Sequence, residues 1–121
     1  MSIRLHDGLK VAKKVLDNLN KIMPKKMQKE CSVEAYSNCR EQGYNIKYWK
    51  DISETKPNFI TLEVSFAENR NSDNIVVYAG RNFSLQGNIP SEEAYTNQKL
   101  FEPDEYDKAA EFILNYFQTT K

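Results

Sequence analysis

The chain is poor in the residues that build reaction centres. Its 121 residues include one histidine, His6, two cysteines, Cys31 and Cys39, and four glycines. One histidine removes most zinc sites, and the two cysteines lie too far apart for a C-x-x-C pair. The glycines are scattered, so no phosphate-cradling loop is visible. His6 stands beside Asp7, but no activated serine or cysteine reads nearby, and a catalytic triad needs its imidazole held rigidly against a nucleophile. The expectation is a protein with no catalytic residues, no metal and no cofactor.

Long apolar runs are also missing. None approaches the roughly 18–20 residues that cross a bilayer. The opening Met1-Ser2-Ile3-Arg4-Leu5-His6-Asp7 has no apolar signal core. A cytoplasmic protein without a membrane partner is expected, and in that compartment Cys31 and Cys39 are expected to be thiols.

Charge is plentiful and divided. Residues 1–29 hold Arg4, Lys10, Lys13, Lys14, Lys21, Lys25, Lys26 and Lys29 against Asp7 and Asp17, which is eight minus two, or +6. The other residues hold nine basic against fifteen acidic side chains, or −6, so the formal total is zero. A basic segment joined to an acidic body is a statement about partners rather than about a reaction.

Hydrophobic periodicity outlines the elements. From Ile3 to Met23, Leu5, Leu9, Ala12, Leu16, Leu19 and Met23 recur at helical spacing, and Pro24 stops the run. Cys31–Asn38 and Tyr44–Lys50 alternate as two strands of a hairpin turning at Glu41-Gln42-Gly43. In Phe59–Ala67, Ile60, Leu62, Val64 and Phe66 face one way while Thr61, Glu63 and Ser65 face the other, the pattern of a half-buried strand. Ile75–Ala79 is short and β-branched, as in a central strand, and Gly80 ends it. Residues 80–101 show no clear period beyond a short strand pattern at Phe83-Ser84-Leu85; so long an irregular stretch is either a functional loop or hides an element that the pattern does not reveal. A final helix is expected from Pro103 to Gln118, with Asp104, Glu105 and Asp107 loading its first turn and Phe101 and Tyr106 stapling its start. The fold class expected is α+β: one two-layer domain over 1–121, a mainly antiparallel sheet of four or five strands with an N-terminal and a C-terminal helix packed on it.

Two binding surfaces compete in the sequence. Tyr36 and Trp49 lie on the less apolar phase of the hairpin strands, and Glu92, Glu93, Glu102 and Asp107 belong to the acidic body. Tryptophan and tyrosine are common anchors of protein contacts, and acidic residues steer a basic partner. The expected function is a non-enzymatic protein-binding module, such as an inhibitor, an immunity protein, a chaperone or a phage factor acting on its host. The alternative is a nucleic-acid-binding module that neutralises phosphates with Lys10, Lys13, Lys14, Lys21, Lys25 and Lys26.

Overall fold

A computed structural model describes residues 10–51, 59–81 and 97–120. In chain order these form α1 (Val11–Ile22), α2 (Lys25–Lys29), β1 (Cys31–Ser37), β2 (Glu41–Asp51), β3 (Phe59–Asn69), β4 (Ile75–Arg81), β5 (Lys99–Phe101) and α3 (Tyr106–Thr119). The five strands make one antiparallel sheet in sequence order, β1-β2-β3-β4-β5. The chain is an α+β domain with its N-terminal and C-terminal helices on the sheet.

Both helices lie on the same face. Ile46 and Tyr48 of β2, Leu62, Val64 and Phe66 of β3, and Ile75, Val77 and Ala79 of β4 project to that side. They pack with Val11, Val15, Leu19 and Met23 below α1 and with Ala109, Ala110, Ile113 and Phe117 below α3. The ring of Tyr48 meets that of Phe117 edge-on at 5.2 Å, and Phe101 meets Phe112 at 6.0 Å. Apolar burial of this kind is the main stabilising term of a domain this size.

Two charged side chains from the same sheet face anchor the helices. Glu68 is fully buried, and its Oε1 accepts hydrogen bonds from the backbone N–H groups of Lys10, Val11 and Ala12, at 2.9, 2.9 and 3.0 Å. These are N–H groups that an α-helix leaves unsatisfied at its start, where the helix dipole also favours an anion. Lys50 does the converse for α3. Its Nζ donates to the carbonyls of Phe117, Gln118 and Thr120 at 2.7, 3.0 and 2.8 Å. A cation suits that end of a helix. The C-terminal carbonyls of α1 are met by Gln28, whose Nε2 donates to Asn20 and Met23.

Several local expectations need correction. The basic stretch after Pro24, where the helical run was expected to stop, forms the short helix α2. The hairpin turns at Asn38-Cys39-Arg40, because Asn38 Oδ1 accepts from the N–H groups of Arg40 and Glu41. Gly43 is thereby inside β2, paired with Tyr36 and Ala67. Gly80 likewise continues β4 rather than ending it. Strand β5 emerges at the end of the stretch expected to be a loop; residues 82–96 of that stretch, like residues 3–9 of the expected first helix, lie outside the described residues. Pro103 precedes α3 by a turn, in which Glu105 Oε1 accepts from the Glu102 N–H at 2.9 Å. Phe101 packs on Phe112. Finally, β3 is not half-buried: Glu63, Ser65 and Ala67, on the face away from the helices, are as enclosed as the core phase.

Candidate functional site

The sheet face opposite the helices carries Ser32, Glu34 and Tyr36 of β1, Asn45, Lys47 and Trp49 of β2, and Thr61, Glu63, Ser65 and Ala67 of β3. The strand period of two puts them together, and the helices leave this side to other groups.

Tyr36 is committed to the fold. It stands opposite Gly43, so its ring crosses a position without a side chain and reaches β3. There the Ser65 Oγ donates to the Tyr36 Oη at 3.0 Å, and the Tyr36 hydroxyl donates to Glu41 Oε1 at 3.1 Å. A Cβ on Gly43 would stand 2.1 Å from the Phe66 carbonyl oxygen, closer than any real contact. An aromatic side chain lying over a strand glycine stabilises a sheet where backbones run close. Burial, and then the neighbouring Glu41, push the Tyr36 phenol well above its ordinary range, so it acts here as a neutral hydrogen-bonding group.

Trp49 behaves differently. It is 64% exposed near the end of the β2–β3 pairing, between Glu30, just before β1, and Thr61 of β3. It borders an open groove of about 750 Å³ with Lys29, Glu30, Cys31, Ser32, Lys47 and Thr61. Charge there is balanced: Lys47 Nζ lies 3.6 Å from Glu63 Oε1, and Lys29 is offset by Glu30. Cys31, at the groove wall, has its thiol pushed up to about 11 by burial and then by Glu30, so it is a poor nucleophile at neutral pH. Among the described residues, no three His, Cys, Asp or Glu side chains come together as metal ligands. No helix among them is long and apolar enough to cross a membrane.

The residues singled out from the sequence therefore separate. Trp49 is in the groove and Tyr36 is locked beneath its own hydrogen bonds. Glu102 and Asp107 are exposed between β5 and the first turn of α3. That is the other end of the sheet, because Phe101 pairs with Ile75 and Ile75 with Glu68, whereas Trp49 pairs with Thr61. The offset from Thr61 to Glu68 is roughly 20–25 Å at the rise of a strand. Glu92 and Glu93 lie outside the described residues. Lys10, Lys13, Lys14, Lys21, Lys25 and Lys26 are all exposed along α1 and α2, and the Lys14 ammonium sits 5.4 Å from the ring centre of Tyr106 on α3.

Sequence reasoning passed over Lys47 and Thr61 as groove residues, since a lone polar residue on a strand looks like ordinary solvent face, and counted Lys29 only as part of the basic segment. It also missed the helix anchors. Glu68 and Lys50 share the phase of Leu62 and Tyr48, and a charge on the core phase of a strand was the available signal. Comparison of the chain with protein-family models, with curated proteins and with solved structures yields no match.

Proposed function

We propose that this protein is a non-enzymatic protein-binding module, of the inhibitor, immunity or host-interaction kind, whose contact surface centres on Trp49. The observation that carries this reading is a largely exposed tryptophan on a regular strand, bordered by a groove and by balanced charge. Leaving so large an apolar surface in water forgoes stabilisation that burial would give, and tryptophan is the residue most enriched among interface anchors. Balanced charge at its rim suits a protein surface better than a phosphate backbone, which calls for uncompensated cations. The acidic stretch around Glu102 and Asp107 then acts at a distance, steering a basic partner rather than touching the anchor. The test is capture of partners from the native host by wild type and by Trp49→Ala, each with and without nuclease. A partner that survives nuclease and is lost with Trp49→Ala, at an unchanged melting temperature, supports the reading. Capture that is indifferent to Trp49 overturns it.

A second reading rests on the exposed row Lys10, Lys13, Lys21, Lys25, Lys26 and Lys29 on α1 and α2. Such a row could bind nucleic acid. Its signature is affinity falling steeply with salt, with a log–log slope of about 0.9 per phosphate neutralised on duplex DNA. Salt-steep binding that is lost on reversing Lys10, Lys13 and Lys21 would favour it over the first reading.

A further inference from the structure

The two edges of the sheet are treated differently. At one edge stands β5, three residues long, short enough to offer little to another strand. At the other stands β1, seven residues long, without proline, lysine or bulge. Its central residues Ser32, Val33, Glu34 and Ala35 are exposed on both faces, because α1 lies over β2 and β3 while α2 reaches only the start of β1. Val33, 46% exposed, presents its isopropyl group to water on the helix side.

The hydrogen-bond register defines what the edge offers. Asn38 donates its N–H to the Glu41 carbonyl and Trp49 donates to the Glu30 carbonyl. In an antiparallel pair, inward and outward peptide groups alternate. The even-numbered residues of β1 therefore bond to β2, and Cys31, Val33, Ala35 and Ser37 turn their N–H and C=O groups outward.

We propose that β1 pairs antiparallel with β1 of a second copy of this chain, about a two-fold axis at Val33, joining two sheets into one. This goes beyond the Trp49 reading and does not depend on it. The register follows from charge and apolar matching. An axis at Val33 sets Val33 against its counterpart in a hydrogen-bonded pair, Cys31 against Ala35, and Glu34 against Ser32. An axis at Glu34 would set two carboxylates face to face, and one at Ser32 would oppose Glu34 and Glu30; like charges directly opposite are destabilising. An axis at Ala35 would leave Val33 against Ser37. The formal net charge of zero removes long-range repulsion between copies. A closed two-fold pairing uses up both exposed edges, so it stops at a dimer.

The test is sedimentation equilibrium of the full chain from about 1 µM to about 1 mM, the range of modest association constants. Wild type is expected to shift from monomer to dimer. Val33→Lys places like charges on the axis at an already exposed position, and should raise the dimer dissociation constant at least about tenfold. Val33→Pro removes an N–H that points outward and makes no bond to β2, the one setting in which a strand tolerates proline. It should give a monomer with the wild-type circular dichroism spectrum. Trp49→Ala should leave self-association unchanged while impairing partner capture, which separates the two readings. A wild type that stays monomeric throughout overturns the proposal. So does a dimer insensitive to both Val33 variants, or one lost only with Trp49→Ala.

Discussion

Individual residues carry unusual weight in this domain because a few side chains each satisfy several backbone groups. Glu68 is the extreme case, with three N–H groups on one carboxylate oxygen. Glu68→Ala strips those donors in a buried setting and should destabilise by about 2–3 kcal/mol, the cost of leaving buried polar groups unmade. Glu68→Gln keeps an acceptor and loses the charge that faces the helix dipole, so it should lose less. Denaturant melts of the two variants check the order; equal losses would mean that shape rather than hydrogen bonding matters at this site. Gly43 is the second such position. Gly43→Ala forces its Cβ into the Phe66 carbonyl and the Ala67 backbone, so β2 and β3 must part. A loss of about 3 kcal/mol or more is expected, at the upper end for overpacking, and Tyr36→Ala should not relieve it, because the clash is with the β3 backbone rather than with the tyrosine ring. The cysteines differ too. Cys39 is exposed in the hairpin turn, whereas the Cys31 thiol is partly buried and held near 11. Iodoacetamide at mildly alkaline pH should modify Cys39 well before Cys31, as peptide mass spectrometry would record.

At the scale of elements, the two helices are held by opposite charges from one sheet face. Lys50 reaches three carbonyls at the end of α3. Lys50→Met keeps the packing of the stem but removes the donor. It should fray α3 locally, raising amide exchange from Asn115 to Thr120 and costing about 1 kcal/mol. Exchange that rises throughout the sheet instead would mean that Lys50 holds the whole layer. The sheet also fixes a pH response. Burial holds the carboxyls of Glu41 and Glu63 above the ordinary 4.5, although Lys47 opposes this at Glu63. A carboxyl raised in the folded state binds its proton more tightly there than in the unfolded chain. Each therefore lowers stability as pH rises from the unfolded value through the folded one, and leaves it lowered at neutral pH. Glu41→Gln keeps the acceptor for Tyr36 and removes the titration. Relative to wild type it should gain stability at pH 7 and lose that advantage at about pH 4, below both values. A constant difference across that range would show that Glu41 contributes nothing to the pH dependence.

For the whole molecule, the arrangement separates three surfaces: the Trp49 groove at one end of the sheet, the acidic turn before α3 at the other end, and the exposed edge of β1. The α+β class, the two terminal helices and the core phase of β3 were legible from sequence, because periods of 3.6 and 2 record which side of an element meets the core. Leu62, Val64 and Phe66 could be named in advance for that reason, and Leu62→Ala should cost about 2–5 kcal/mol. Turns were less legible, because Gly43 and Gly80 resemble breakers in sequence and are instead paired strand residues, Gly43 at a close approach to β3. What the chain alone determined is its α+β class and its scarcity of histidine, cysteine and glycine, both local properties of composition and spacing. Tertiary structure decided the rest. Placing both helices on one face left Trp49 exposed on the other. Pairing Tyr36 with Gly43 turned an apparent binding aromatic into a structural one. The strand order put β1 at an edge where α2 reaches only its first residues. None of these is encoded in any one segment, because each depends on which distant residues the sheet register brings into contact.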